Sequence, residues 1–278
     1  MNVPDKAPSV VLICHENDTL DREGLASWIA DRMNLIGLVV TRDGTARLWR
    51  VARREIRRVG WLGFVDVVAF RMYSRVCLAK RDARWKERVL SELRIRHPID
   101  LKTVPRIVVA TPNSNETARF LAAIAPDLII ARSKFILKPA IFRLARKGTF
   151  ALHPGVCPEY RNAHGCFWAL VNRDLNRVGM TLLQIDEGVD TGPVYLHATC
   201  DIDEVNESQT VIQYRVVYEN LERIAETLHA FCDGRGRPIS TAGRHSATWG
   251  QPRLSAYLHW KWLARRGRHD ADRLAALP

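Results

Sequence analysis

The chain has 278 residues, 47% of them hydrophobic, with 42 Lys and Arg against 30 Asp and Glu. That length and apolar content support one large core, or a main domain with a smaller appendage, and exclude a chain disordered throughout. The longest apolar window, Val59–Phe70 (VGWLGFVDVVAF), is 12 residues, carries Asp66 and falls short of the roughly 20 residues a spanning helix needs. No charged start followed by an apolar stretch and a small-residue cleavage site opens the chain, so a cytoplasmic protein is expected.

Ser9–Cys14 (SVVLIC) reads as a buried parallel strand. Asp18 and Thr19 offer caps for a helix with an apolar stripe at Leu20, Leu25, Ile29 and Met33, and Gly37–Thr41 is the second strand. Residues 42–96 lack strand signals and read as an arginine-rich helical insertion containing Trp49, Trp61 and Trp85. The alternation resumes with the strand Arg106–Ala110, caps at Asn113, Ser114 and Asn115, a helix through Ala125 and the strand Asp127–Ala131. Pro139 opens a helix to about Arg146, Gly148 closes it, and Phe150–His153 is a strand. Further strands are expected at Met180–Ile185 and Pro193–Thr199, and one long amphipathic helix at Ser208–Cys232. The turn-rich Asp233–Pro238 marks a boundary. The expectation is an α/β domain over residues 1–232, a Rossmann-like, mainly parallel sheet flanked by helices, followed by a basic, Trp-containing C-terminal extension over residues 233–278.

In open sheets of this type ligands sit beyond the carboxyl ends of the strands, where His15, Arg132–Lys134 and His153 would project. No GxGxxG follows the first strand, and neither a P-loop nor a GxSxG elbow is present, which disfavours dinucleotide binding, nucleotide hydrolysis and serine esterase chemistry. The six cysteines show no zinc or redox spacing and read as free thiols, with Cys157 and Cys166 as packing residues. Positive charge is concentrated in Arg42–Arg58 and after Asp233. Such regions can dock tRNA, anionic lipid or phosphate-bearing substrates, or form a solvated arginine-rich surface.

His153 ends a strand and is followed by Pro154-Gly155, where a ligand can approach the backbone closely. A lone histidine is usually structural. Here a second, acidic loop, Asp186–Gly192 (DEGVDTG), follows a strand, and a histidine with a carboxylate on two loops is how an imidazole is oriented and its proton affinity raised.

The successive segments PDLIIARSKFILKP (Pro126–Pro139), LHPGVCPEYR (Leu152–Arg161), FWAL, VGMT and DEGVDTG resemble the motifs of the 10-formyltetrahydrofolate-dependent formyltransferase family, which includes methionyl-tRNA, glycinamide ribonucleotide and sugar N-formyltransferases. The resemblance runs from about Ser9 to Ala230 and is strongest from Pro126 to Val194. It implies that His153 and Asp190 are catalytic, with 10-formyltetrahydrofolate as formyl donor and an amine as acceptor. It also implies folate binding by Arg132, Ser133, Lys134, Phe135, Ile136 and Leu137 and by Asp186, Glu187, Gly188 and Val189. The asparagine that the family pattern places two residues before the histidine is replaced by Ala151.

Losing one donor to a developing oxyanion costs on the order of 3 kcal/mol. Three readings follow: Asn162 or His164 supplies the donor, the chain acts on a more reactive partner, or it is an inactive binder that keeps the fold. Arg132 and Lys134 are available to meet the folate glutamate tail or an acceptor phosphate, or simply face water. A small amino sugar or sugar nucleotide is the expected acceptor, because the segment after Asp233 is too short and helix-like for the β-barrel of tRNA-acting members. A competing reading is a noncatalytic partner of glycan assembly at an anionic membrane surface, motivated by Arg53–Arg75, an apolar stretch flanked by arginine that otherwise reads as a buried helix of the insertion. Nucleic-acid binding is the third.

Overall fold

The computed structural model describes residues 7–42 and 45–275. The polar leader Met1–Lys6, Asp43–Gly44 and the terminal Ala276–Pro278 lie outside the described residues. Seven strands form one sheet in the order β3-β2-β1-β4-β5-β6-β7. Strands β1 (Ser9–His15), β2 (Asn34–Thr41), β3 (Arg106–Val109), β4 (Leu128–Ala131) and β5 (Gly148–His153) are parallel, while β6 (Gly179–Gln184) and β7 (Val194–Thr199) run antiparallel at one edge. The β-branched run in β1 takes the centre of the sheet because both of its faces are covered. Val10, Leu12 and Cys14 join the main core, and Val11 and Ile13 join a second core under α4 (Asn115–Ile124) and α5 (Pro139–Phe142).

The main core is closed by α1 (Ala26–Arg32) and by the insertion, α2 (Thr45–Tyr73) and α3 (Ala79–Arg96), with Phe70, Leu78, Leu90 and Leu93 buried. Helix α2 bends at Gly60, whose φ of 71° interrupts the helical conformation. No helix among the described residues is long and apolar enough to cross a membrane.

Three expected elements differ in extent. The segment from Ser208 is two helices, α7 (Gln209–Tyr218) and α8 (Leu221–Cys232). The Asn220 side chain breaks them by donating to the carbonyls of Thr199 and Val216, a local bond that competes with helix continuation. The helix from Pro139 lasts a single turn, because the Arg146 and Lys147 amides turn to the carbonyls of Pro126 and Asp127 and lead the chain into β5. The C-terminal segment does not stand apart: α9 (Leu254–Ala275) packs on α2 and on α6 (Gly165–Val171) and puts Tyr257 and Trp260 into the main core.

Trp260 is fully enclosed and its indole N–H donates to Glu204 Oε2 at 2.9 Å. Trp260→Ala is expected to lower stability by about 3–5 kcal/mol in guanidinium unfolding followed by far-UV circular dichroism. A separate early transition confined to the C-terminal segment, with the rest unaffected, would contradict its place in the core.

Candidate active site

At the carboxyl edge of the sheet His15 acts as a brace. Its Nε2 accepts from the Lys134 amide at 3.1 Å, so its proton is on Nδ1, which meets Thr41 Oγ1 at 2.9 Å; the Thr41 hydroxyl in turn donates to the Cys14 carbonyl. Arg132 lies beneath this edge rather than in it. Its Nε donates to Asp21 Oδ1 at 3.2 Å and its Nη1 to the Leu152 carbonyl at 2.9 Å, and the pair is buried, with side chains only 9% and 5% exposed. The expectation that Arg132 meets a ligand anion is corrected on this point, since its guanidinium is committed inside the protein. Burial pushes the Asp21 carboxyl up, against the pull of Arg132. Burial acts on Asp18 too, yet Lys86 and the Tyr214 hydroxyl hold it low.

His153, buried at the end of β5, has its Nδ1 3.7 Å from Asp190 Oδ2 and its Nε2 2.9 Å from the Tyr160 carbonyl. Burial alone would lower its pKa; the Asp190 carboxylate, with Cys157 and the Tyr160 carbonyl, outweighs it and pushes the imidazole up to about 10. The loop from β6 must fold back along β5 to make this pair, since the register sets Thr181 beside His153 and Ile185 beside Thr149. It arrives strained: Asp190 has φ 52° and Asn162, whose amide donates to Asp190 Oδ2 at 2.8 Å, has φ 77°. Gly155 and Gly165 touch back to back under the ring, and a Cβ on Gly155 would lie 2.6 Å from the Tyr160 carbonyl and 2.8 Å from His153 Nε2.

The two candidates for the missing donor separate. The Asn162 side chain donates to the Trp249 carbonyl at 2.6 Å, so it does not serve as the spare amide expected of it. The His164 Nδ1 is enclosed and has no hydrogen-bond partner. Burial, followed by the positive charges of Lys134, Arg71 and His153, lowers its pKa to about 4, against a hydrogen bond from Gln251. Ala151 itself packs with Cys157, Leu183 and Val194, an apolar filling where an amide would have stood. Cys157 and Cys166 are buried, and burial pushes the Cys166 thiol up.

Of the expected folate loops, Asn113 fastens the first by donating to the Ile136 carbonyl and accepting from the Lys138 amide, and Phe135 stacks on His15 at 5.9 Å. Leu137 is buried and Ile136 faces outward. In the second, Asp186 accepts from the Gly188 amide and the Thr191 hydroxyl, and Glu187 pairs with Arg143.

Sequence reasoning missed the wall behind the site. Residues 244–251 wrap the 158–164 loop: Arg244 grips Glu159 with two hydrogen bonds, Trp249 stacks on Tyr160 and Trp168, and Arg161 pairs main chain with Ala247 and Trp249. The only sequence signal was an aromatic, Trp249, within a Gly- and Pro-punctuated stretch. A cavity of about 1460 Å³ between α1, α3 and α7–α8 is lined by residues such as Arg84, Trp85 and Arg88 and includes none of the strand-end residues. The site assignment therefore rests on chemistry, which places a buried imidazole against a carboxylate, and not on cavity size.

The fold is a Rossmann-like sheet with a histidine–carboxylate pair at its carboxyl edge. The chain belongs to the formyl transferase family, whose model matches residues 76–228, more than half of its 278 residues. The methionyl-tRNA formyltransferase of Chlorobium limicola is 35% identical over 118 residues, 42% of this chain and 36% of that protein. The GDP-perosamine N-formyltransferase of Brucella melitensis is 29% identical over 124 residues, 44% of this chain and 47% of that protein. The chain thus spans less than half the length of these curated relatives. Among solved structures, glycinamide ribonucleotide transformylase 1 of Symbiobacterium toebii has a TM-score of 0.52 at 14% identity, covering 86% of this chain and 99% of its own. A sugar N-formyltransferase from Shewanella has a TM-score of 0.50 at 13% identity, covering 90% and 86%. These two likenesses establish a shared fold.

The two histidines should give stability opposite slopes with pH. Between about 6.5 and 10 the folded protein holds the His153 proton that the unfolded chain releases, so stability falls as pH rises through this window. Between about 4 and 6.5 the unfolded chain protonates His164 first, so stability falls as pH drops. Urea midpoints across pH should show the alkaline limb flattened in His153→Gln and the acid limb flattened in His164→Gln.

Arg132→Ala leaves the Asp21 carboxylate buried without its counter-charge and should destabilise by about 3–5 kcal/mol, most of which returns when Arg132→Met is combined with Asp21→Asn. Chemical denaturation of both variants checks this.

Proposed function

We propose that the protein transfers a formyl group from 10-formyltetrahydrofolate to the amine of a small anionic acceptor, an amino sugar phosphate or sugar nucleotide. The observation that carries the reading is the buried His153–Asp190 pair beside the enclosed, unpartnered His164 Nδ1. The donor, when bound, supplies a formyl carbonyl whose oxygen gains negative charge as the amine adds. Main-chain groups of Ser133–Leu137 and Asp186–Val189 would hold it. Both loops suit the task, because Asn113 and Asp186 fix their turns from within and Ile136 leaves an apolar side chain outward.

His153, protonated at neutral pH, sets a positive charge at the strand end before any charge develops, which lowers the barrier selectively. Asp190 keeps that charge in place and is the nearest carboxylate to receive the proton lost by the amine. His164 stays neutral, and its ring takes the place of the donor that Ala151 lacks. A neutral imidazole suits this role, since it donates without adding a second buried charge beside His153.

The acceptor class is supported by a cavity of about 440 Å³ between the insertion and α7, lined by Arg71, Ser74, Arg75, Asp82, Lys86 and Thr210, among others. Its cations suit a phosphate, and Asp82, buried with one carboxylate oxygen unpartnered, suits an amine or hydroxyl donor. Arg71 links the cavity to the site: it donates to Gln251 at 3.1 Å and lowers the His164 pKa. One observation favours a second reading, a folate-binding protein with impaired chemistry, and that is the apolar filling at Ala151.

Purified protein incubated with 10-formyltetrahydrofolate and a panel of amino sugar phosphates and sugar nucleotides should release tetrahydrofolate and give a formyl mass increment. His153→Ala and Asp190→Ala should abolish turnover, and His164→Ala should lower kcat about 10²–10³-fold. Ala151→Asn should lower the rate as well, by placing an amide in an apolar cluster. Full activity in His164→Ala would remove its role, and folate binding without turnover by the unaltered chain would favour the second reading.

A further inference from the structure

The outer face of α2 is apolar. Trp61, Leu62, Val65, Val68 and Met72, with Val76 on the π-helical turn that follows, are between 41% and 90% exposed. Their spacing of four, three, four and four residues from Trp61 through Val65, Val68, Met72 and Val76 forms one stripe along the helix. The opposite face of the same helix is the one the core uses, through Val67 and Phe70. Scattered exposed apolar residues need no explanation, whereas a continuous row of five with Leu62 beside it marks an interaction surface.

The charges around the stripe are of one sign. Arg53, Arg54, Arg57, Arg71 and Arg75 are exposed at its two ends. Of the two acidic residues of α2 within Val51–Tyr73, Glu55 is buried and bonded to Arg58, and the half-buried Asp66 accepts from Ser255 of α9. A second copy of the chain laid antiparallel on this face would bring arginines at one end against arginines at the other, a repulsive pairing. A negatively charged surface neutralises both ends while the stripe enters an apolar layer.

We infer that α2 is a membrane-surface helix, which lies in the plane of an anionic lipid leaflet with Trp61, Leu62, Val65, Val68, Met72 and Val76 in the acyl boundary and the flanking arginines among the headgroups. Bilayer association of this kind needs a strong apolar face and cationic flanks, not a spanning length. It also orients the molecule. Arg71 and Arg75, which line the small cavity beside the site, share the helix that meets the lipid. The surface stands whether or not the acceptor assignment does, since none of the six apolar residues lines that cavity or touches the strand-end pair.

The test is flotation of the full chain with vesicles of phosphatidylcholine alone and of phosphatidylcholine mixed with phosphatidylglycerol. Association is expected with the mixed vesicles, weakening as salt is raised. The triple variant Trp61→Ser, Leu62→Ser and Val65→Ser should lose at least about tenfold in partitioning, with thermal melting little changed because the three side chains are 63–90% exposed and the ring contact of Trp61 is with Phe64 of the same helix. Absence of flotation with the anionic vesicles would overturn the inference. So would sedimentation showing a dimer that the triple variant breaks while neither form binds lipid, because the stripe would then be a contact between copies.

Discussion

The ion pair between Arg132 and Asp21 is the constraint on which the carboxyl edge of the sheet depends. It ties the end of β4 to the helical turn after β1, and Tyr218 of α7 donates to the same carboxylate oxygen at 2.8 Å. A second guanidinium nitrogen, Nη1, reaches the carbonyl of Leu152, one residue before His153. Two charges taken out of water are tolerated only with such extra bonds, and the pair then fixes geometry more than it adds stability. Three strands and a helix meet through one ion pair, so the position of His153 is set from below by a guanidinium committed inside the protein.

That arrangement explains why the fold was legible in the sequence and parts of the site were not. Alternating β-branched runs and capped helices identified the parallel sheet because each signal is local: the Ser114 and Ser208 side chains cap as their spacing to Thr117 and Val211 requires. Turn chemistry pointed to His153 facing the acidic Asp186–Gly192 loop, and the family resemblance singled out Asp190 within it. Arg132 was not, because a charged residue just past a strand looks the same whether it faces solvent or a buried carboxylate 111 positions away. Asn162 and His164 were indistinguishable for the same reason. Their difference lies in Trp249, which claims one amide and leaves the other ring nitrogen unclaimed.

In sequence the helical insertion and the C-terminal extension read as two separate segments. They are instead packed on one another, with Phe70 and Tyr73 of α2 against Tyr257 of α9, and together they roof the main core. The apolar stretch within Arg53–Arg75 does not reveal in sequence that α2 has two apolar faces, since a stripe on the inner side and another on the outer side both satisfy a helical pattern.

The wrap of residues 244–251 around the 158–164 loop has a consequence in time. The Asn162–Trp249 hydrogen bond joins residues 87 positions apart, and the Arg244–Glu159 grip joins residues 85 apart. A ribosome makes the strands, the histidine and the aspartate long before it makes the segment that fastens them. Contacts of such long range close last and slowly in folding. The nascent chain therefore carries the chemical groups of the site without its geometry, and the strained backbone at Asn162 and Asp190 is clamped only when synthesis reaches the tryptophan that locks it.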